Sequence, residues 1–187
     1  PGATATATAY PTVTVTPTTV VGTANLRIIQ GSPDAPAVDV YFDGERILHN
    51  VPYLSGSEYF PVPGGTHTLQ VRTAGSATTL ITANVTFVAG TDYTVIASDF
   101  LNAITPQVLV DNRQSPGVGR TMVRIGHLAA NAPVVDLYLT DPGANLNLTT
   151  PILREVSFAE FSNYLTIPAG TYQIRATRSG TMDLVLD

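Results

Sequence analysis

The chain has 187 residues, a formal net charge of −5, and 12% charged against 44% hydrophobic residues. It contains no cysteine and no lysine, which excludes disulfides, thiolate nucleophiles, Schiff-base lysines and P-loop lysines. The negative charge without a basic cluster argues against nucleic acid as a partner, and no apolar run reaches the roughly 18–20 residues of a membrane span.

The first 23 residues are an extended tract rich in Thr, Ala and Pro. Between Ala3 and Thr18, small apolar residues and prolines alternate with hydroxyl-bearing residues without a slip. This period of two predicts a strand with one apolar face and one Thr face, and a flexible, O-glycosylated stalk is the alternative interpretation. In the strand interpretation, the residues that pair with a neighbouring subunit are Val13, Val15, Val20 and Val21.

The amino terminus begins at Pro1 rather than at a methionine. We interpret it as a processed terminus from which a targeting signal has been removed, which fits an extracellular protein.

From Ala24 to Asn112, short runs rich in β-branched residues are separated by turn residues such as Asp43-Gly44 and Gly64-Gly65. No segment keeps apolar residues at helical spacing for three turns. The pattern therefore predicts one antiparallel β-sandwich module. Its expected strands are Asn25–Gln30, Val38–Phe42, Arg46–Val51, Glu58–Val62, Thr66–Thr73, Thr79–Phe87, Tyr93–Ser98 and Gln107–Val110.

Residues 113–121 form a linker, and residues 122–187 then repeat the first module. Arg27, Pro36, Asp39 and Tyr41 recur at one constant spacing as Arg124, Pro133, Asp136 and Tyr138. Tyr59, Pro63, Gly65, Thr66 and Gly75 recur at a slightly larger spacing as Tyr164, Pro168, Gly170, Thr171 and Gly180, because the second copy has a longer loop at Thr140–Glu155. Such shared spacing is typical of a duplication.

The second copy ends earlier than the first. Asp187 aligns with Thr82, so residues 122–187 contain no counterpart of the last strands of the first module. The sequence therefore predicts two tandem immunoglobulin- or transthyretin-like sandwich modules, of which the second is incomplete.

The most distinctive motif is Gly31–Gly44, which is echoed by Leu128–Asp141. It resembles the signature of the bacterial "domain of unknown function 4397" family, a His-x-Ser-Pro-Asp-Ala-Pro-x-Val-Asp-Val-Tyr run. The first copy has Gln30 at the histidine position, and the second copy keeps His127 but replaces Ser-Pro-Asp with Ala-Ala-Asn. The resemblance implies an extracellular β-sandwich, often in tandem, and no known activity.

The recurrence of Arg27 with Asp39, and of Arg124 with Asp136, predicts a structural ion pair between strands in each copy. A ligand site at these residues is the less favoured alternative. Two N-glycosylation sequons begin at Asn84 and Asn147, so both asparagines are candidate glycan acceptors.

No catalytic constellation accompanies the strands. The acidic residues at 34–45 do not follow the spacing of a calcium loop, and the three histidines have no metal-ligand spacing. We therefore predict that the protein is not an enzyme and needs no cofactor or metal.

Two functions remain open from the sequence. The first is a structural subunit of an extracellular filament, pilus-like fibre or surface layer, in which the protein is its own partner through strand donation. The second is a binding or adhesion module at the bacterial cell surface, displayed on the Thr/Pro stalk and recognising a protein or surface glycans.

Overall fold

A computed structural model describes residues 22–187. The predicted donor residues Val13, Val15, Val20 and Val21 lie outside the described residues. Within residues 22–187 the fold is all-β, as predicted, with fourteen strands and one short 3-10 helix. The strands fall into an N-terminal unit, residues 23–111, and a C-terminal unit, residues 120–186.

The N-terminal unit has eight strands, and each predicted strand is confirmed with its bounds shifted by at most a few residues. The strands are β1 (Thr23–Gln30), β2 (Val38–Phe42), β3 (Glu45–Val51), β4 (Phe60–Pro63), β5 (Gly65–Thr73), β6 (Thr79–Phe87), β7 (Asp92–Ser98) and β8 (Thr105–Asp111).

These strands form two four-stranded sheets, in the orders β4-β1-β7-β8 and β3-β2-β5-β6, with the core between them. Alternation along each strand sends every second side chain into that core, as in β1, where Leu26 and Ile28 are buried while Arg27 faces outward and is half-buried. The opposite sheet contributes Val40 and Leu69, which are no more than 1% exposed.

One pairing departs from the predicted antiparallel arrangement. Strands β1 and β7 run parallel, with Leu26 opposite Tyr93 and Ile28 opposite Val95. Strand β1 is antiparallel to β4 on its other edge. Both edges of β1 are therefore hydrogen-bonded, which places it in the interior of its sheet.

The C-terminal unit repeats part of this pairing scheme. Its elements are β9 (Arg120–Val123), β10 (Val135–Thr140), a 3-10 helix (Leu146–Leu148), β11 (Leu153–Val156), β12 (Leu165–Pro168), β13 (Gln173–Arg178) and β14 (Leu184–Leu186). The sheet β11-β10-β13-β14 corresponds in order to β3-β2-β5-β6, and the pair β12-β9 corresponds to β4-β1. Among the described residues, nothing in this unit takes the places of β7 and β8.

The missing strands leave the C-terminal unit with a small core. Its cluster of fully buried hydrophobic residues consists of Val135, Leu137, Val156 and Ala176. The last strand is exposed on every residue, and Leu184 and Leu186 keep more than half of their surface in solvent. Stability in residues 22–187 therefore comes mainly from the N-terminal core.

Truncation of a core residue should show this dependence. We expect Leu69→Ala to lower the free energy of unfolding by roughly 2–5 kcal/mol, because it removes buried methyl groups and leaves a cavity. The matched control is Leu148→Ala, since Leu148 is 87% exposed. Urea denaturation of the three chains measures the difference, and similar midpoints for both variants would contradict the assigned core.

Candidate functional site

The aspartate of the first signature copy is a buried structural carboxylate. Asp39 is 1% exposed, although it lies on the outer face of β2. It accepts hydrogen bonds from the backbone N–H groups of Asn50 (2.9 Å) and Gly75 (3.2 Å), and it contacts Arg46 (3.3 Å) and His49 (3.1 Å). The N–H of Asn50 and the ring of His49 hold the pKa of Asp39 well below its usual range.

Asp136 has the same role in the C-terminal unit. Asp136 accepts hydrogen bonds from the N–H groups of Glu155 (2.8 Å) and Gly180 (3.1 Å) and from the Ser179 hydroxyl (3.1 Å). Burial opposes its ionisation, but these donors outweigh burial and lower the pKa of Asp136.

The recurring glycines explain why this arrangement repeats. Gly75 and Gly180 have φ values of 69° and 73°, a conformation that favours glycine, and the N–H of each donates to the aspartate of its own unit. The signature aspartate thus ties a hairpin turn to the neighbouring strand.

The predicted pairs Arg27–Asp39 and Arg124–Asp136 are wrong. Strands β1 and β2 belong to different sheets, and both side chains point outward, so the sandwich core separates Arg27 from Asp39. Arg27 instead donates to the Thr94 hydroxyl, and Arg124 contacts Asp111. The carboxylates Asp39 and Asp136 are structural, but their cationic neighbours are Arg46 and Arg154.

Removal of the Asp39 carboxylate should destabilise the fold. We expect Asp39→Ala to cost roughly 2–3 kcal/mol, because the backbone N–H groups of Asn50 and Gly75 lose a charged acceptor. The carboxyl's pKa is lower in the folded than in the unfolded chain, so its stabilisation is present above the unfolded pKa of about 4 and is lost as pH falls. The variant should therefore lose less stability than the wild type between about pH 5 and pH 2.

Urea titrations at several pH values measure this effect. The control is Asp183→Ala, whose side chain lies in an exposed turn. Equal pH dependence of the wild type and Asp39→Ala would contradict the assigned role.

The histidine position of the signature orders the following loop. In the first copy, Gln30 is buried, and its side-chain carbonyl accepts the N–H of Ser32 at 3.1 Å. In the second copy, Nδ1 of His127 lies 3.4 Å from the N–H of Ala129, in the acceptor position, and Nε2 lies 3.2 Å from the Pro133 carbonyl oxygen. Gln30 and His127 thus provide the same acceptor two residues before the turn.

The two units meet around a third buried carboxylate, which sequence reasoning missed. Asp111, at the end of β8, has a side chain that is 3% exposed. We name its surroundings the Asp111 cluster, which consists of Arg27, Tyr59, Thr94, Asp111, Arg124 and Tyr164.

Four side chains converge on this carboxylate. One oxygen accepts from the Tyr59 hydroxyl (2.8 Å) and the Thr94 hydroxyl (2.5 Å) of the N-terminal unit. The other accepts from the Tyr164 hydroxyl (3.0 Å) and the Arg124 guanidinium (3.3 Å) of the C-terminal unit. Arg124 also donates to the Val110 carbonyl. The Asp111 carboxylate therefore joins the two units.

Arginine–tyrosine stacking reinforces the cluster. The guanidinium carbons of Arg27 and Arg113 lie 4.8 and 4.5 Å from the centre of the Tyr59 ring, and that of Arg124 lies 4.3 Å from the centre of the Tyr164 ring. Burial, together with the Asp111 carboxylate, raises the pKa of both tyrosines, so their hydroxyls remain hydrogen-bond donors at neutral pH.

The repeat contained a signal for this cluster. Arg27 and Tyr59 recur as Arg124 and Tyr164, and these four residues are the ones that meet across the units. Asp111 itself has no equivalent residue in the C-terminal unit within residues 22–187, so the spacing of the repeat did not reveal it.

We expect Asp111→Ala to destabilise the docking of the units, because Arg124 would lose the partner of a buried ion pair, at a cost of about 3–5 kcal/mol. A double-mutant cycle with Arg124→Gln, followed by urea unfolding, measures the coupling. The control is Asp141→Ala, an exposed position. Strictly additive effects of the Asp111 and Arg124 substitutions would contradict a direct interaction.

The C-terminal unit carries a second feature, an open groove beside the segment that follows β9. It is an apolar cavity of about 410 Å³, lined by residues of the β9–β10 loop and by β10, β13 and β14. Its wall includes Gly126, Val135, Leu137, Ala176, Val185 and Leu186. Nothing among residues 22–187 occupies the place of β7, so the cavity separates the buried residues Val135, Leu137 and Ala176 from β14, whose Val185 and Leu186 are exposed.

The candidate glycan acceptors are both exposed. Asn84 lies on the outer face of β6 and accepts a hydrogen bond from Thr68, and Asn147 lies in the 3-10 helix of the long loop. Glycosylation at both stays a prediction. Within the described range there is no group of three or more histidine or acidic residues placed to hold a metal, and no helix long and apolar enough to cross a membrane.

The matching family model agrees with the signature. A model described as "Domain of unknown function (DUF4397)" matches residues 24–138. The chain belongs to this family. The match covers the N-terminal unit and extends into β10 of the C-terminal unit. No curated protein matches the chain.

Proposed function

We propose that this family member is a non-catalytic structural subunit of an extracellular filament, pilus-like fibre or surface layer. In this proposal the chain carries two tandem immunoglobulin- or transthyretin-like sandwiches, and a strand from another copy completes the second one. The observation that supports it is the open groove of the C-terminal unit. An unpaired strand edge next to an open apolar cavity favours strand addition.

Strand β7 of the N-terminal unit indicates what such a strand must provide. Its core-facing residues Tyr93, Val95 and Ala97 are buried at alternate positions, and Thr94 and Ile96, which lie between them, face away from that core. A strand that fills the open groove therefore needs apolar side chains at alternate positions.

The N-terminal tract has this pattern. Val13 and Val15 are apolar at alternate positions, and Thr12, Thr14 and Thr16 lie between them. The tract also carries no charged side chain that would have to be buried. We therefore propose that residues 3–21 of one copy occupy the groove of the next.

The backbone of β9 offers hydrogen bonds at the open edge. In β1, the backbone groups of the outward-facing residues bond toward β7, and the N–H of Asn25 donates to the carbonyl oxygen of Thr91. The backbone groups of the core-facing residues bond toward β4, and the carbonyl oxygen of Ile28 accepts from the N–H of Ser57. In the second unit, core-facing Ile125 likewise accepts from Ser162. The same alternation directs the backbone groups of Met122, Arg124 and Gly126 to the open edge.

The prolines of the tract favour one strand direction. In a strand parallel to β9, core-facing residues would bond to β9, as Ala97 of β7 does when it accepts from Gly31 of the first unit. Pro11 and Pro17 share the phase of Val13 and Val15, so parallel entry would place two residues without N–H groups in the ladder.

Antiparallel entry avoids this loss. Reversal of the strand exchanges its two edges while the same face stays toward the core. The N–H groups of Thr12, Thr14 and Thr16 would then pair with β9, and the prolines would face away from it. We therefore propose that the tract enters antiparallel to β9.

A synthetic peptide of residues 3–21, added to a chain that lacks residues 1–21, tests both points. We expect saturable binding of the peptide, because the truncated chain keeps its groove and loses its donor strand. N-methylation of Thr14 should abolish binding, since it removes an N–H that pairs with β9. N-methylation of Val15 should be tolerated and is the matched control.

The outcomes separate the two claims. Absence of peptide binding, together with polymers that survive deletion of residues 1–21, would rule out strand donation. Tolerance at Thr14 with loss at Val15 would preserve donation but overturn the antiparallel direction.

The second candidate function is a binding or adhesion module at the cell surface, carried on a Thr/Pro stalk. A cavity of about 430 Å³ beside the Asp111 cluster, lined by both apolar and polar side chains, favours it. Negative-stain microscopy distinguishes the two, because a structural subunit should form periodic fibres and a displayed binding module should form isolated particles.

A further inference from the structure

A cavity of about 430 Å³ lies between the two units, next to the Asp111 cluster. Ile29, Ile96 and Leu109 on the outer face of the first sheet form its apolar side, and Arg27 and Arg113 stand at its polar side. A concave site that combines an apolar surface with a few convergent polar groups is typical of small-molecule binding.

Arg27 brings an unmatched charge to this cavity. The Arg113 guanidinium lies 3.4 Å from Asp92, and Arg124 contacts Asp111, but Arg27 has no carboxylate within 4 Å among residues 22–187. The N-terminal tract contains no acidic residue either. The wall of the cavity therefore carries one positive charge in excess.

The Asp111 carboxylate is already fully engaged. It accepts four hydrogen bonds from Tyr59, Thr94, Arg124 and Tyr164. Arg27 reaches it only through Thr94, whose hydroxyl oxygen accepts from Nε (3.1 Å) and Nη2 (2.9 Å) of Arg27. The Nη1 group is not used in this contact, and it carries two N–H donors.

The equivalent arginine of the C-terminal unit shows what kind of partner Arg27 lacks. Arg27 and Arg124 are equivalent residues, each stacked on the equivalent tyrosine of its own unit. Arg124 has a carboxylate and Arg27 does not. A ligand carboxylate at Nη1 of Arg27 would give the first copy the interaction that the second copy makes with Asp111.

We propose that this cavity binds a small organic carboxylate, whose charge contacts Arg27 and whose body packs against Ile29, Ile96 and Leu109. This inference deepens the binding-module candidate and is independent of strand addition.

The test uses the full chain and four probes: galacturonate, benzoate, and their neutral counterparts galactose and benzamide. The side-chain Nε–H signals of the arginines report binding in ¹⁵N–¹H spectra, and the chain has nine arginines and no lysine to crowd them. Three variants are compared: Arg27→Gln removes the charge, Arg27→Lys keeps it, and Arg178→Gln is the control at an exposed site outside the cavity.

We expect galacturonate, benzoate or both to shift the Arg27 signal saturably, and each neutral counterpart to bind at least tenfold more weakly. Arg27→Gln should weaken binding at least tenfold, Arg27→Lys should retain part of it, and Arg178→Gln should leave it unchanged. A cooperative unfolding transition at the wild-type midpoint verifies that Arg27→Gln is folded. Failure of both carboxylates to saturate, or equal binding by the wild type and Arg27→Gln, would overturn the proposal.

Discussion

The pairing of strand edges is the constraint from which the other features follow. Strand β1 is hydrogen-bonded on both edges, to β4 and to β7, whereas its equivalent β9 is paired with β12 alone within residues 22–187. A backbone N–H or C=O group without a partner is costly when it is buried. Because β9 has no second neighbouring strand within residues 22–187, the second unit has a small core and an open groove. Strand addition is proposed at this groove.

Buried carboxylates connect parts of the chain that strand pairing does not connect. Asp39 and Asp136 each tie a turn to a strand through backbone N–H groups, and Asp111 ties one unit to the other through hydroxyls and a guanidinium. Burial of an ionised carboxylate is unfavourable unless several donors surround it. Each of the three has at least three donors, so each fixes the position of the groups around it.

The two proposals meet at the segment that directly follows β9. Gly126 lines both the inter-unit cavity and the open groove, and Arg124 sends its side chain to Asp111 while its backbone faces the open edge. A strand added at this edge would lie beside the Asp111 cluster. The proposed strand addition and the proposed ligand binding therefore concern adjacent surfaces of one chain segment, although separate experiments test them.

The sequence by itself determined the all-β class and, to within a few residues, the strand bounds of the N-terminal unit, because period-two alternation and turn residues are local properties of the chain. The motif at Gly31–Gly44 indicated the family. The sequence also singled out Arg27, Arg124, Asp39 and Asp136 through their recurrence. Tertiary structure alone decided which partners these residues have. Alternation specifies that a side chain leaves the core, but the assignment of β1 and β2 to opposite sheets determines that Arg27 and Asp39 leave it in opposite directions. For the same reason the central role of Asp111 depends on the docking of two units, which no local pattern encodes.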